Sequence, residues 1–98
     1  MERHNTRRID QQSKMTLPSA LRRDLSLNEK AQVSLMPVES IVILWRLDGE
    51  PSSHCYTSTI DDLGRVEIPA EIMHQLNWQL ESEISLYATD NLVILKSV

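Results

Sequence analysis

The most constraining feature of this sequence is an internal repeat with an offset of 51 residues. Residues 9–21 and residues 60–72 share one order: Ile-Asp, a polar turn, an alternating segment that starts with a cation, and then a proline. Residues 6–44 align with residues 57–95 without a gap, and 10 of these 39 positions are identical. Each copy should therefore be one supersecondary unit, and the packing of the two copies decides the architecture.

Each copy is too small to be expected to fold alone. A copy of about 45 residues lies near the ~40-residue limit below which a single core rarely suffices. Cys55 is the only cysteine, so no disulfide within the chain supports the fold. We therefore expect a hydrophobic core that is shared between the two copies or between chains.

The two copies differ in charge, although the whole chain has a net charge of only −4. Residues 1–49 contain eight Lys and Arg against six Asp and Glu, a net charge of +2. Residues 50–98 contain two against eight, a net charge of −6. The two copies therefore share a framework and have diverged in charge.

Nothing in the sequence indicates secretion or membrane insertion. Residues 1–5 are not followed by an apolar run of the kind found in signal peptides. No stretch approaches the ~18 consecutive apolar residues of a membrane-spanning helix. The expected location is cytoplasmic, with no membrane partner.

Apolar periodicity predicts the order strand, strand, helix, strand, strand in each copy. Met15 alternates with polar residues, and Pro18 suits the first turn of a helix whose buried side includes Leu21 and Leu25. Pro37 is expected to limit the third strand, because proline cannot donate to a ladder. In the first copy the predicted strands lie at residues 5–9, 14–17, around 33–35 and 41–44. In the second copy they end at residue 60 and span 65–68, 83–87 and 92–96, with a helix over 70–76.

The chain divides into repeat 1 (residues 1–47), a linker (residues 48–55) and repeat 2 (residues 56–98). The linker contains Gly, Pro and Ser, which favour turns. In repeat 2, Gly64 suits a turn position that needs a positive φ angle. Ser13 holds that position in repeat 1, where a strained residue costs roughly 1 kcal/mol. The turn of repeat 1 is therefore expected to be looser or differently shaped.

Repeat 2 resembles the AbrB/MazE/SpoVT swapped-hairpin family over its whole length. The resemblance rests on the run Asp-Asp-Leu-Gly-Arg-Val-Glu-Ile-Pro at residues 61–69, a short helix, and an apolar hairpin that ends Leu-Val-Ile-Leu-Lys at residues 92–96. Repeat 1 is similar through residues 9–10, 14–18 and 21–25. The resemblance implies a mainly β fold with short helices, in which two ββαββ repeats form a swapped-hairpin β-barrel as an intrachain pseudo-dimer.

The same resemblance implies a sequence-specific DNA-binding transcriptional regulator of a bacterial or archaeal type. Family members contact double-stranded DNA with basic residues on the first strand, after the first turn and on the short helix. At those positions the chain has the candidate DNA-binding residues Arg7, Arg8, Lys14, Arg22 and Arg23 in repeat 1 and Arg65 in repeat 2. The other matching positions of repeat 2 are Ser58, Thr59, Met73 and His74. We therefore expect repeat 1 to contact the DNA, and a homo-oligomer with two chains on the DNA, because regulators usually read two half-sites.

Other interpretations of these residues stay open. The basic residues could form only a solvated face, and the alternative function is an antitoxin-like or other interaction module that binds a partner protein through acidic repeat 2. Asp10 and Asp61 are expected to accept hydrogen bonds from their own turns. His54 and Cys55 lack an orienting third group, and no Cys/His cluster has metal-ligand spacing. The sequence therefore predicts no enzyme activity, no metal and no cofactor.

Overall fold

A computed structural model describes the backbone of residues 2–98 and the side chains of residues 6–98. Over these residues the chain is a small, mainly β protein with eight strands and two short helices. In chain order they are β1 (Glu2–Arg8), β2 (Lys14–Thr16), α1 (Ser19–Asp24), β3 (Gln32–Val38), β4 (Ile41–Arg46), β5 (Tyr56–Thr59), β6 (Arg65–Glu67), α2 (Ala70–Leu76), β7 (Glu83–Ala88) and β8 (Val93–Ser97). The element order of repeat 1 thus recurs in repeat 2.

The strands form two antiparallel sheets that mix the two repeats. The larger sheet has the order β1-β7-β8-β4-β3-β5, and β2 and β6 form a separate two-stranded ribbon. Within the described residues, only the hairpins β3–β4 and β7–β8 pair inside one repeat. The first strand of each repeat pairs with the third strand of the other, β1 with β7 and β5 with β3. Each repeat therefore completes the sheet of the other.

The prediction that the sheet closes into a barrel is wrong. In the described part of the chain, β1 and β5 are the two edges of the six-stranded sheet and pair neither with each other nor with the ribbon. Closure would need β2 and β6 to continue the sheet, but each is only three residues long and pairs along its whole length with the other. Met15 and Val66 of the ribbon belong to the same buried cluster as the sheet residues. The ribbon therefore covers the sheet by packing and not by strand pairing.

The strand registers define an approximate two-fold axis within the chain. In the ribbon Met15 lies opposite Val66, and in the large sheet Ile43 lies opposite Ile94. The members of each pair occupy equivalent positions of the two repeats, 51 residues apart. An axis that exchanges the repeats must therefore pass between the members of both pairs.

The hydrophobic core follows the same symmetry. All the buried hydrophobic side chains of the described residues belong to one cluster. They form nine pairs with the repeat offset: Ile9 and Ile60, Met15 and Val66, Leu17 and Ile68, Leu21 and Ile72, Leu27 and Trp78, Val33 and Ile84, Leu35 and Leu86, Val42 and Val93, and Leu44 and Leu95. The expectation of a core shared between the two copies is confirmed.

β3 continues through Pro37, although the proline was expected to limit the strand. The N–H of Leu47 donates to the Gln32 carbonyl at 2.8 Å, and this bond sets the alternation of the β3–β4 ladder. By that alternation the nitrogen of Pro37 points away from β4 and toward the side of β5. β5 begins at Tyr56, opposite Leu35, two residues short of the proline. The missing N–H therefore limits the pairing with β5 and leaves the pairing with β4 intact.

The hairpin turns of the two repeats have the same shape, although Ser13 and Gly64 occupy the same position in them. Both residues have positive φ angles, 61° for Ser13 and 77° for Gly64. The N–H of Asp10 donates to the Lys14 carbonyl at 2.7 Å, and the N–H of Asp61 donates to the Arg65 carbonyl at 3.0 Å. The expectation of a looser turn at Ser13 is therefore wrong, because the surrounding bonds hold the serine in the left-handed region.

Repeat 1 alone should not form a stable monomer. Its strand β1 pairs only with β7 among the described strands, and each of its nine core side chains has its symmetry mate in repeat 2. We expect residues 1–47, expressed alone, to be unfolded or to self-associate, as measured by circular dichroism with light scattering. A fragment that melts cooperatively as a monomer would contradict the shared core.

Candidate nucleic-acid interface

The two hairpin turns meet in a cluster of charged side chains that we call the axial quartet: Asp10, Lys14, Asp61 and Arg65. Each aspartate first fixes its own turn. Asp10 Oδ1 accepts hydrogen bonds from the N–H groups of Gln12 and Lys14 at 2.8 and 2.9 Å. Asp61 Oδ1 accepts the two corresponding bonds at 2.9 and 2.8 Å. The structural role expected for the two aspartates is therefore confirmed.

The remaining carboxylate oxygens of the axial quartet join the two repeats. Arg65 Nε lies 2.8 Å from Asp61 Oδ2, and Arg65 Nη1 lies 3.1 Å from Asp10 Oδ2 in the other repeat. Lys14 Nζ lies 3.5 Å from Asp61 Oδ2. The side chains of Lys14 and Arg65 are only 26% and 24% exposed. These two candidate DNA-binding residues are thus engaged in ion pairs inside the protein.

The axial quartet holds the carboxyl pKa values of both aspartates below their usual value of 3.8. For Asp61 the main cause is the N–H bond from Arg65, which with the Arg65 guanidinium outweighs burial and lowers the pKa to about 2. For Asp10, burial acts to raise the pKa, but the N–H bonds from Lys14 and Gln12 and the charge of Arg65 outweigh it. The hydrogen bond to Asp61 in turn raises the pKa of the Arg65 guanidinium. The folded state therefore favours two ionised carboxylates.

Acid should destabilise the fold through this cluster. The folded state lowers the pKa of Asp61 from 3.8 to about 2, so the stabilisation from this group is present above about pH 4 and is lost as the pH falls toward about 2. Asp10 acts in the same direction. The D61N variant should therefore melt at a lower temperature than the wild type near neutral pH, and its melting temperature should change less between about pH 4 and about pH 2.

The neighbouring Asp62 provides the matched control for this measurement. Its side chain is exposed and makes no ion pair within the described residues. The D62N variant should keep the wild-type dependence of melting temperature on pH. A D61N profile that runs parallel to the wild-type profile would show that the axial quartet does not carry the acid sensitivity.

Arg7 and Arg8 lie on β1, at one edge of the six-stranded sheet. Arg8 Nη2 lies 3.2 Å from Glu83 Oε1, and these side chains are 64% and 47% exposed. An exposed pair of this kind contributes only ~0–1 kcal/mol. Arg7 is partly buried and donates to the Thr6 carbonyl at 3.3 Å, with no carboxylate partner among the described side chains. Both guanidinium groups are therefore available to an external anion.

Arg22 and Arg23 lie on α1 in different environments. Arg23 is 79% exposed, and its contact with Asp24 is long, at 3.9 Å. Arg22 is partly buried, and its Nε donates to the Leu17 carbonyl at 3.0 Å. The Arg22 guanidinium lies over Gly64 of the other repeat, where an added Cβ atom would come within 2.5 Å of Arg22 Cζ. Sequence reasoning treated Arg22 as a free surface residue and missed this contact between the repeats.

A groove runs beside β5, the opposite edge of the six-stranded sheet, and we call it the β5 groove. It has a volume of about 570 Å³. The lining residues come from β5, from both strands of the ribbon and from the start of α2: Lys14, Thr57, Ser58, Thr59, Glu67, Pro69, Ala70 and Glu71. Lys14 of repeat 1 therefore lies beside the first strand of repeat 2.

β1 holds the equivalent position at the other edge of the sheet. Arg7 lies opposite Ile84 in the β1–β7 ladder, and Ser58 lies opposite Val33 in the β5–β3 ladder. Both residue pairs have the same register when the repeats are aligned. The arginines of β1 therefore hold the positions that Ser58 and Thr59 hold at the β5 groove.

Arg65 lies between the ends of the two edge strands. It pairs with Asp10, which follows β1, at 3.1 Å and with Asp61, which follows β5, at 2.8 Å. Arg22 lies over Gly64, the residue that precedes Arg65. We use the term basic face for the arginines of β1 and α1 together with Arg65: Arg7, Arg8, Arg22, Arg23 and Arg65. The basic face thus consists of four cations of repeat 1 and one cation of repeat 2.

Repeat 2 does not reproduce the basic surface of α1. Met73 takes the place of Arg22 and packs against the core, and exposed His74 takes the place of Arg23. Glu67 and Glu71 at the β5 groove are exposed and make no ion pair within the described residues. A phosphate backbone would be repelled by these carboxylates, whereas it would meet arginines at the basic face.

Comparison of the sequence with models of protein families finds no match. Comparison with curated proteins also finds no matching relative. Among the described residues, neither α1 nor α2 is long and apolar enough to cross a membrane.

Replacement of Gly64 by alanine should cost more stability than replacement of Gly49. Both glycines have positive φ angles, 77° and 93°, so an alanine at either position is strained by ~1 kcal/mol or more. Only at Gly64 would the new methyl group meet another side chain, that of Arg22. Arg22 would have to give up its bond to the Leu17 carbonyl, which adds ~1 kcal/mol to the loss in free energy of unfolding.

Chemical denaturation of the single and double variants tests this contact. In an R22A background, G64A and G49A should cost similar amounts, because the colliding guanidinium is gone. Equal costs of the two glycine variants in the wild-type background would mean that Arg22 does not pack on Gly64.

Proposed function

We propose that this chain is a sequence-specific DNA-binding transcriptional regulator that contacts double-stranded DNA through the basic face. The fold proposed with this function is the swapped-hairpin pseudo-dimer of the AbrB/MazE/SpoVT family, with both halves in one chain. The exchange of first strands between the repeats supports that fold. The observation that carries the function is the set of weakly partnered arginines on β1 and α1.

The contacts of these arginines leave their charge available to phosphate. In the described structure, Arg7 and Arg22 bind only backbone carbonyls. Arg8 and Arg23 pair only with exposed carboxylates, and such pairs are weak and easily screened. A guanidinium can bind a phosphate or the edge of a guanine through two parallel hydrogen bonds. Each of the four arginines can therefore exchange a weak internal contact for a stronger one on DNA.

The axial quartet has a supporting role in this proposal. Arg65 bridges the carboxylates of Asp10 and Asp61, and Lys14 pairs with Asp61. These bonds join the turns of the two repeats, so the quartet fixes the position of one repeat relative to the other. We therefore assign Arg65 and Lys14 mainly to positioning, and we assign the phosphate contacts to the four arginines of repeat 1.

DNA is expected on one side of the molecule only. Glu67 and Glu71 make the β5 groove acidic, and repulsion between like charges disfavours phosphate there. One chain therefore offers one basic face, whereas regulators usually read two half-sites with a two-fold protein. We propose that two chains bind one DNA site, each through repeat 1.

Removal of two arginines from the basic face should weaken DNA binding without loss of stability. In the R7A/R23A variant, neither substitution removes a buried contact, so the melting temperature should change little. Two lost phosphate contacts should flatten the dependence of log K on log salt concentration by about 1.8, which is ~0.9 for each contact. A duplex obtained by selection from random DNA serves as the ligand, and mobility shifts at several salt concentrations give both the affinity and the slope.

The equivalent positions of repeat 2 provide the matched control. The S58A/H74A variant changes the same two sites of the fold, but neither side chain is a guanidinium that could bind phosphate through two parallel hydrogen bonds. It should keep the wild-type affinity and salt dependence. Loss of DNA binding in S58A/H74A together with normal binding in R7A/R23A would place the interface on repeat 2 and overturn the proposal.

A further inference from the structure

We propose that the β5 groove binds an extended, basic segment of a partner protein, which adds to the sheet as a strand beside β5. Three features of the described structure carry the inference: an open strand edge, the absence of blocking residues on that edge, and unpaired carboxylates across the groove. The inference does not depend on DNA binding, because the β5 groove and the arginines of β1 lie at opposite edges of the six-stranded sheet.

The backbone of β5 has hydrogen-bonding groups directed outward. The N–H of Ile60 donates to the Ala31 carbonyl at 2.9 Å, and the β5–β3 register continues from this pair without a shift. In an antiparallel ladder, inward and outward groups alternate along the strand. Ser58 therefore bonds toward β3, whereas Thr57 and Thr59 direct their N–H and C=O groups to the open edge. Two donors and two acceptors are thus presented at the spacing that an added strand needs.

The side chains of β5 do not protect this edge. Natural sheet edges are usually blocked by lysine, proline, a bulge or a covering segment. β5 has the sequence Tyr-Thr-Ser-Thr, and its four residues pair with β3 without a register shift. The bulge that Lys30 and Ala31 form opposite Ile60 lies beyond the end of β5. The other edge strand, β1, carries Arg7 and Arg8 and has a register shift between Arg3 and Thr6. Only the edge beside the β5 groove therefore lacks the usual protection among the described strands.

The charge of the β5 groove selects the partner. Glu67 and Glu71 are exposed and have no ion pair within the described residues. The one cation of the groove, Lys14, is paired with Asp61. A strand laid along β5 points every second side chain to the same face. Lysine or arginine at alternate positions would therefore direct positive charge toward the two glutamates.

Selection from a phage-displayed library of short random peptides against the immobilised full chain tests this proposal. We expect an enriched consensus with lysine or arginine at alternate positions. The synthetic consensus peptide should bind the free chain in a fluorescence anisotropy titration. The E67Q/E71Q variant should weaken binding by about tenfold or more. The E29Q/E50Q variant, which makes the same change in net charge at exposed sites outside the β5 groove, should bind as the wild type does.

Two further measurements test strand addition itself. T57P removes an outward N–H without loss of a bond to β3, and proline is tolerated at such an edge, so it should abolish binding while the chain stays folded. A consensus peptide with N-methylated backbone amides should also fail to bind, and this result does not depend on a protein variant.

No enrichment, an acidic or apolar consensus, or binding that survives both backbone changes would overturn the proposal. Self-association of the chain that T57P abolishes would also overturn it, because a second copy would then occupy the groove. R7A/R23A should bind the peptide normally, so failure of the DNA proposal would be recognised separately.

Discussion

The pairing of each repeat's first strand with the third strand of the other repeat is the constraint on which the rest of the structure depends. Through it β1 completes the sheet half that contains β7, and β5 completes the half that contains β3. The exchange brings the two hairpin turns together, where the axial quartet forms ion pairs from repeat to repeat. It also encloses one core from nine pairs of equivalent side chains. Neither repeat has a surface on which it could close this core alone, which agrees with the small size of each copy.

The two repeats share their buried positions and differ at the surface, and this difference gives the molecule two unlike sides. At one edge of the large sheet stand Arg7 and Arg8, and at the other stand Ser58 and Thr59. A homodimer of identical repeats would have the same charge on both sides of its axis. A tandem chain is free of that restriction, because each copy has its own sequence. The proposed DNA contact at the basic face and the proposed peptide contact at the β5 groove both depend on this difference.

Much of the fold can be predicted from the sequence, because the repeat and the apolar periodicity are local signals. They predict the element order, the bounds of α2 and the shared core. Closure of the sheet depends on which strands pair at the edges, and no local pattern contains that information. Ser13 was misjudged because bonds within its turn override the preference for glycine at a positive φ angle. For Arg22 the only signal in the sequence is the glycine at position 64, whose lack of a side chain leaves room for the guanidinium.

We propose that strand exchange produces one basic side that binds DNA and one acidic side that does not. Titration of the isotope-labelled chain with duplex DNA, followed by amide NMR spectra, tests this claim most directly. We expect the signals of β1 and α1 to shift, with those of Arg7 and Arg23 among them, and the signals of Thr57 and Thr59 to stay in place. Equal shifts on β1 and β5, or shifts confined to β5 and α2, would contradict it.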